Sequence, residues 1–215
     1  MHLDASNLAA RRGEDLIFAD VSFRLDAGEA LVLTGKNGSG KSTLLRVLAG
    51  LLRPERGTVE FTDSRGETER NPREVSHYLG HRNAMKSELT VSENLAFWQN
   101  FLGDVLGASE LSIEDAAEAV GLSDITHLPF GYLSAGQQRR FAFAKLLVAY
   151  RPVWILDEPT AALDASADRL FAGLIDAHRR KGGIVVAATH QPLGLQSARA
   201  LKMTGFAGVD RGVWG

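Results

Sequence analysis

Apolar and polar residues alternate along the first part of the chain, and short apolar runs replace this alternation further on. The alternating stretches, residues 3–9 and 16–25, predict two strands that each bury one face. Successive apolar residues at 30–33 predict a strand that is buried on both faces, and residues 43–52 continue with the spacing of a helix. A glycine-rich loop separates this strand from this helix.

The middle of the chain combines a polar stretch with a block of helical spacing. Residues 62–74 predict an exposed loop or hairpin tip, because they are polar and contain Gly66 and Pro72. Thr90 and Glu93 have the spacing of a capping box, which opens a helix rich in aromatic residues. The remaining predicted elements are short strands at 58–61, 75–79, 153–156 and 184–188, and helices at 112–120, after Ser134 and at 165–180.

Strands and helices alternate at both ends of the chain, which is typical of an α/β fold with a mostly parallel sheet and helices on both faces. We therefore predict a single domain of residues 1–215, whose α/β core comprises residues 1–84 and 151–215. The first strands are predicted to form an N-terminal antiparallel β subdomain. The block at about 85–150 is predicted to be an α-helical subdomain inserted into this core.

The loop after the strand at 30–33 matches the phosphate-loop pattern G-x-x-x-x-G-K-[ST] at every fixed position. Its glycines allow backbone N–H groups to turn toward a phosphate, and the N-terminus of the following helix adds partial positive charge. Lys41 is placed to reach the β- and γ-phosphates, and the Ser42 hydroxyl to hold Mg²⁺. The predicted nucleotide-binding residues of this segment are Gly35, Lys36, Asn37, Gly38, Ser39, Gly40, Lys41, Ser42 and Thr43.

Two acidic residues directly follow the apolar strand at 153–156. The C-terminal end of a parallel strand is the edge at which α/β proteins bind their ligands. We predict that Asp157 helps to hold Mg²⁺ and that Glu158 is a catalytic residue, which polarises the attacking water. A run of this kind alone often marks only the end of a strand, and its position after a phosphate loop makes the assignment specific.

A third motif, Leu133-Ser134-Ala135-Gly136-Gln137, resembles the LSGGQ signature of the ATP-binding-cassette (ABC) ATPases, with Ala135 in place of the first glycine. The resemblance covers essentially the whole chain. It implies the P-loop NTPase fold of that family, with ATP and Mg²⁺ as cofactors. It also implies that Ser134, Ala135, Gly136 and Gln137 face the γ-phosphate that a second subunit holds.

Four more positions are compared with the family pattern. Asp164 matches the D-loop of the dimer interface, and His190 matches the switch histidine that would act with Glu158. His81 stands where the family has a glutamine that contacts Mg²⁺ or the water; its imidazole can form similar hydrogen bonds, or His81 is only a loop residue. Arg12 stands near the place where many relatives stack adenine on an aromatic ring; its guanidinium either stacks instead or is solvated at the surface.

Composition limits the partners of the chain. A net charge of −2 provides no basic field that would bind nucleic acid, and the lack of cysteine excludes disulfides and thiolate metal sites. The N-terminus has no signal-peptide pattern, and the longest apolar run, at 184–188, is too short to cross a bilayer. We therefore expect a cytosolic chain, or one that reaches a membrane only through a partner.

The short chain and the run from Tyr78 to Trp98, with histidine in the glutamine position, resemble the haem-exporter branch of the ABC family, which serves bacterial cytochrome c maturation. This resemblance implies an ATPase that powers haem export as a homodimer, bound to integral membrane permease subunits at the cytoplasmic face of the bacterial inner membrane. The alternatives are an ABC transporter subunit for another small solute, a non-transport ABC ATPase acting on ribosomes or DNA, and a phosphate-loop kinase. The signature motif and the acid pair argue against the kinase.

Overall fold

A computed structural model describes residues 1–68, 71–103, 111–160, 163–189, 195 and 197–205. The strands of this part of the chain are β1 (His2–Arg12), β2 (Asp15–Asp26), β3 (Ala30–Thr34), β4 (Arg56–Thr62), β5 (Ser76–Leu79), β6 (Val153–Asp157), β7 (Ile184–Ala188) and β8 (Arg199–Lys202). Its α-helices are α1 (Lys41–Leu48), α2 (Pro72–Val75), α3 (Val91–Leu102), α4 (Ile113–Ala119), α5 (Ala135–Leu147) and α6 (Ala165–Arg180).

The strands form two sheets of different character. Strands β5, β6, β7, β3 and β8 form a parallel sheet in that order, and β2, β1 and β4 form an antiparallel sheet. Helices α3, α4 and α5 lie in the chain between β5 and β6. The predicted α/β fold, with a parallel core, an antiparallel N-terminal part and inserted helices, is therefore confirmed. The boundaries predicted for the helical subdomain, about 85–150, stay a prediction.

Strand β6 contributes side chains to two hydrophobic cores. Every residue of β6 is buried, and its successive side chains point to opposite faces of the sheet. Trp154 and Leu156 pack in the core beneath α3, α4 and α5, whereas Val153 and Ile155 pack in the core that α1 and the antiparallel sheet share. Burial on both faces fixes the register of β6, and this register places Asp157 at the end of the strand.

The structure corrects one prediction near the surface and adds one strand for which no prediction was made. Residues 72–75 form the helical turn α2, not a loop followed by a strand that starts at Val75. The reason is local: Asn71 caps the turn by accepting a hydrogen bond from the Arg73 N–H at 3.1 Å, and Pro72 suits the first helical position. Strand β8 was not predicted, because its sequence Arg-Ala-Leu-Lys lacks an apolar pattern and only its pairing with β3 makes it a strand.

None of the described helices combines the length and the apolar character that a crossing of the bilayer requires.

Two buried histidines support the parallel sheet from one side. His77 on β5 lies 2.6 Å, through Nε2, from the Ala149 carbonyl oxygen, and His178 on α6 lies 3.3 Å from that of Pro152. The His178 ring stacks on Trp154 with ring centres 4.1 Å apart. Burial disfavours the charged imidazolium, so that the pKa is lowered from 6.5 to about 3 for His77 and to about 4 for His178.

We expect these histidines to make the fold sensitive to acid. As the pH falls below 6.5, both histidines become protonated in the unfolded chain, while in the folded chain they stay neutral until the pH approaches their lowered pKa values. At pH 5 each histidine therefore lowers the free energy of unfolding by about 2 kcal/mol. Urea unfolding at about pH 7.5 and about pH 5 measures this loss, which His178→Gln should reduce by about 2 kcal/mol. The variant His127→Gln removes an exposed histidine and is the control. If wild type, His178→Gln and His127→Gln lost the same free energy of unfolding between pH 7.5 and pH 5, the role of buried His178 in acid sensitivity would be contradicted.

Candidate functional site

The phosphate loop connects β3 to α1 and takes a shape that only glycine allows at two positions. Gly35 has a φ of 138°, and a Cβ atom there would lie 2.3 Å from the Met203 carbonyl oxygen. Gly40, which caps α1, has a φ of 96°, and a Cβ atom there would lie 2.8 Å from the Ile17 side chain. The glycine spacing therefore reflects both backbone conformation and close packing on the neighbouring strands.

Lys41 and Ser42, in the first turn of α1, point in different directions. The Lys41 ammonium donates hydrogen bonds to the carbonyl oxygens of Gly35 (2.8 Å) and Lys36 (3.1 Å), so it lies inside the curve of the loop. The Ser42 hydroxyl donates to Oδ1 of Asp157 at 3.1 Å. This bond joins the start of α1 to the end of β6, two segments separated by 115 positions in the sequence.

The Asp157 carboxylate is held on both oxygens. Its Oδ2 accepts a hydrogen bond from the Tyr78 hydroxyl at 3.1 Å, while Oδ1 accepts the one from Ser42. Burial of the phenol raises the pKa of Tyr78; a hydrogen bond with Arg46 opposes this effect, and the nearby Asp157 charge adds to it. Tyr78 therefore stays a neutral donor and fixes the orientation of the carboxylate.

Glu158 follows in an unusual backbone conformation. Its φ of 47° lies in the left-handed region, which residues other than glycine rarely adopt. Its backbone N–H donates to the Ala188 carbonyl oxygen at 2.8 Å, which continues the pairing of β6 with β7 by one residue. The strained turn sends the chain away from the sheet at the residue that the sequence predicts to be the catalytic base.

A buried arginine of α5 holds this turn in place. The Arg139 guanidinium donates to the carbonyl oxygens of Pro159 at 2.9 Å and Glu158 at 2.8 Å, and to that of Asp157 at 3.3 Å. It also donates to the Gly80 carbonyl oxygen at 2.7 Å, next to His81. Burial lowers the pKa of Arg139, and the Asp157 charge partly opposes this effect.

A cavity of about 560 Å³ opens over the phosphate loop. Most of the predicted site residues meet there, and Ile17 joins them. Its lining consists of Arg12, Ile17, Asn37, Gly38, Gly40, Lys41, Ser42, Thr43, His81, Asp157 and Glu158. The structure thus brings Arg12 and His81, the two departures from the family pattern, to the same cavity as the phosphate loop and the acid pair.

The signature motif lies elsewhere, at the exposed N-terminus of α5. The Ser134 hydroxyl accepts a hydrogen bond from the Gln137 N–H at 3.3 Å, and the Gln137 side chain accepts one from the Ser134 N–H at 2.9 Å, which together form a capping box. Ala135 and Gly136 form the first turn of this helix. None of these four residues lines the cavity of their own chain.

Asp164 caps the N-terminus of α6. Its side chain accepts hydrogen bonds from the N–H groups of Ala167 and Ser166, and these bonds lower its pKa. His190 lies outside the described residues, so the predicted switch histidine has no structural description.

Three contributors to the site were missed by sequence reasoning. Ile17 lines the cavity, Tyr78 holds Asp157, and Arg139 binds the backbone around the acid pair. Ile17 and Tyr78 lie on predicted strands, where an apolar or aromatic residue indicates only packing. Arg139 stands in the polar run Gln137-Gln138-Arg139-Arg140, where nothing in the sequence distinguishes a buried cation from an exposed one.

Known proteins resemble this chain along most or all of its length. The family model described as "ABC transporter" matches residues 18–161. The "Cytochrome c biogenesis ATP-binding export protein CcmA" of Rhizobium etli is 77% identical over 215 residues and covers 100% of both chains. A protein with the same description from Brucella abortus (strain 2308) is 51% identical over 220 residues, covering 98% of this chain and 99% of its own.

Solved structures show the same fold. An ABC transporter ATP-binding protein from Pyrococcus furiosus superposes with a TM-score of 0.78 at 21% identity, covering 94% of this chain and 98% of its own. A dimeric ATP-binding cassette in a post-hydrolysis state, bound to ADP and Pi, superposes with a TM-score of 0.72 at 23% identity and covers 88% of each chain. Taken together with the family match and the two full-length relatives, the phosphate loop, acid pair and signature helix show that the chain belongs to the ABC transporter family.

Proposed function

We propose that this chain hydrolyses ATP as the nucleotide-binding subunit of a membrane export complex that handles haem in cytochrome c biogenesis. The observation that carries the ATPase assignment is the single cavity in which Lys41, Ser42, Asp157 and Glu158 meet. The haem assignment rests on relatives of this chain that are named cytochrome c biogenesis ATP-binding export proteins.

The loop geometry suits the phosphates of ATP. Lys41 can exchange the carbonyl oxygens of Gly35 and Lys36 for the β- and γ-phosphates, since an anionic oxygen is a stronger acceptor than a neutral carbonyl. The loop N–H groups and the N-terminus of α1 add further positive potential. In our proposal Arg12, at the edge of the cavity, stacks on the adenine ring.

The donor set at the base of the cavity fits Mg²⁺. The Ser42 hydroxyl and the Asp157 carboxylate are hard oxygen ligands 3.1 Å apart, and His81 lines the same cavity. When bound, Mg²⁺ neutralises phosphate charge that develops during hydrolysis. Glu158 accepts the proton of the attacking water, and His81 and His190 are proposed to orient that water.

The position of the signature motif supports a composite site. The capped N-terminus of α5 is exposed and lies outside its own cavity, so in our proposal it completes the γ-phosphate site of a second copy of the chain. In this arrangement Ser134, Ala135, Gly136 and Gln137 donate hydrogen bonds to the nucleotide bound by that copy. Asp164 lies along the contact between the two chains. The dimeric cassette among the structural relatives supports this arrangement.

The membrane location follows from the partners. Since no described helix can cross a bilayer, the chain is proposed to bind integral membrane permease subunits peripherally, at the cytoplasmic face of the bacterial inner membrane. When two copies of the chain close over ATP, they would then move the permease. Hydrolysis would let the two copies separate again.

Glu158→Gln is the first test of the catalytic role. The amide cannot accept the proton of water, so we expect hydrolysis to fall by at least about 100-fold while ATP affinity is retained. Phosphate release and ATP binding to the purified protein measure the two quantities. Glu60→Gln, at an exposed position of β4, is the control. Hydrolysis at the wild-type rate in Glu158→Gln would show that Glu158 is not the catalytic base.

The same variant, tagged and purified from detergent-solubilised membranes with ATP present, tests the biological assignment. We expect membrane proteins that handle haem in cytochrome c maturation to be captured and identified by mass spectrometry. Capture of a permease for another solute would discard the haem assignment and keep the ATPase assignment. Ribosomal proteins in their place would overturn the transporter assignment.

Arg139→Lys tests whether the guanidinium positions the acid pair. A lysine cannot bind the backbone of Gly80 and Glu158 together, so we expect hydrolysis to fall about tenfold to 100-fold at little cost in ATP affinity. Arg140→Lys, at the next and half-exposed position, is the control. Added guanidinium ion should partly restore Arg139→Ala. Equal turnover in Arg139→Lys and wild type would refute this positioning role.

A further inference from the structure

An exposed tyrosine directly precedes the signature motif. Tyr132 is 82% exposed, which is the highest value for a large apolar or aromatic side chain in the described part of the chain. Its neighbours Phe130 and Leu133 are buried and pack in the core beneath α3, α4 and α5. Single exposed apolar residues are common on protein surfaces, so the position of Tyr132 decides what it can bind.

Hydrogen bonds fix the backbone on both sides of Tyr132. The Gly131 N–H donates to the Ser87 carbonyl oxygen at 2.9 Å, and the Gln138 side-chain amide of α5 donates to the Leu133 carbonyl oxygen at 3.1 Å. The phenol therefore extends from a rigid turn. A tyrosine side chain has few rotatable bonds, so it loses little entropy when it contacts a ligand.

Tyr132 and Ser134 face the same side of the chain. The backbone between them is extended, with φ −78° and ψ 145° at Leu133 and φ −61° and ψ 157° at Ser134. Successive side chains of an extended backbone point in opposite directions. Leu133 is turned into the core, and both Tyr132 and Ser134 are exposed. Two extended residues span about 7 Å, to which the phenol adds its own length.

The nucleotide cavity leaves one face of adenine without a stacking partner. Among the described residues that line the cavity there is no phenylalanine, tyrosine or tryptophan. In the proposed site the Arg12 guanidinium stacks on one face of the ring. The opposite face is open to an aromatic side chain, which can stack on any base because every base has a π-face.

We propose that Tyr132 binds the nucleotide held by a second copy of the chain, where its phenol stacks on the face of adenine opposite Arg12 of the partner subunit. This inference rests on the proposed function, in which Ser134 faces the γ-phosphate of that nucleotide. Adenine lies at the far end of ATP from the γ-phosphate, and the extended stretch from Ser134 to the Tyr132 ring has a comparable length. One chain therefore contacts both ends of the nucleotide that the other chain holds.

The nucleotide of the same chain is not the one that Tyr132 contacts. Tyr132, like the signature residues, does not line the cavity over its own phosphate loop. A single chain therefore stacks adenine on Arg12 alone, whereas a closed pair covers both faces of the ring. We expect Tyr132 to contribute to nucleotide affinity only when two chains have closed over ATP.

Photolabelling with an azidoadenosine triphosphate, which carries its azide on the purine ring, tests the contact. Under ultraviolet light the azide loses dinitrogen, and the nitrene inserts into a bond of a neighbouring side chain. The complex is purified in detergent with two differently tagged copies, both carrying Glu158→Gln. One copy also carries Lys41→Ala and keeps Tyr132, while the other keeps Lys41 and carries Tyr132→Ala. We expect mass spectrometry to find the label on the Tyr132 peptide, although that copy does not hold the nucleotide itself.

The reverse arrangement is the control for this experiment. Lys41→Ala and Tyr132→Ala are placed on one copy, so that Tyr132 of the other copy faces an empty site and should stay unlabelled. Label on Tyr132 in this control would overturn the proposal. So would label in the first arrangement that reaches the peptide of Arg12 but not that of Tyr132, although nucleotide binding would then stand. Label on no peptide of the chain in either arrangement would overturn the proposed function.

Substitutions in the complex provide the second arm of the test. We expect Tyr132→Ala to raise the KM for ATP at least about fivefold, because stacking on the base is lost, and Tyr132→Phe to keep the wild-type value. The preference for ATP over CTP, measured as the ratio of kcat/KM, should fall in Tyr132→Ala, since the larger purine ring loses more stacking than the pyrimidine.

Two controls accompany these variants. The purified, separated chains of each variant should bind ATP with wild-type affinity, and Leu111→Ala, which truncates another exposed side chain, should keep the wild-type KM in the complex. An unchanged KM and an unchanged preference for ATP in Tyr132→Ala would overturn the proposal. An equal rise of the KM in Tyr132→Phe would also overturn it, because the aromatic ring is retained there.

Discussion

The candidate site depends on one buried cation, Arg139, which donates to no carboxylate among the described residues. The Arg139 guanidinium is satisfied by backbone carbonyl oxygens from two segments, the end of β6 and the loop after β5, with Asn83 as a longer side-chain contact at 3.4 Å. A buried charge that loses its partners costs about 3–5 kcal/mol, so these segments cannot separate freely from α5. The same hydrogen bonds stabilise the left-handed backbone conformation of Glu158.

Helix α5 therefore connects three places with different chemistry. Its N-terminus carries Ser134, its middle carries Arg139 beside the acid pair, and its last turn carries Lys145, which lies over the Trp98 ring of α3. A rigid helix that rotates by a small angle moves all three at once. In the proposed complex, this arrangement offers a physical route by which closing of two chains over ATP is coupled to turnover at Glu158.

The sequence could predict those parts of the molecule whose structure depends on residues close to one another in the chain. The phosphate loop, the capping boxes at Thr90 and Ser134 and the apolar strand β6 each depend on neighbours within a few residues. The contacts of Arg139 and Tyr78 could not be predicted in the same way, because they join segments 59 and 79 positions apart.

Some local structure was also missed. Strand β8 depends on pairing with β3, and the turn at Pro72 depends on a cap that was interpreted as part of a loop. Arg12 and His81 were identified from their positions in the family pattern, and their place in the cavity agrees with that pattern. Their roles in binding and catalysis stay predictions.

In the proposed function, each nucleotide site is built from two chains. Two differently tagged copies, one with Lys41→Ala and one with Ser134→Arg, can be purified together from membranes so that every complex contains both. Such a complex holds one site with native Lys41 and native Ser134 and one site with neither. We expect it to hydrolyse ATP at up to about half the wild-type rate, while complexes of either variant alone are inactive. A mixed complex as inactive as its parents would show that the two residues act within one chain, and would contradict the account.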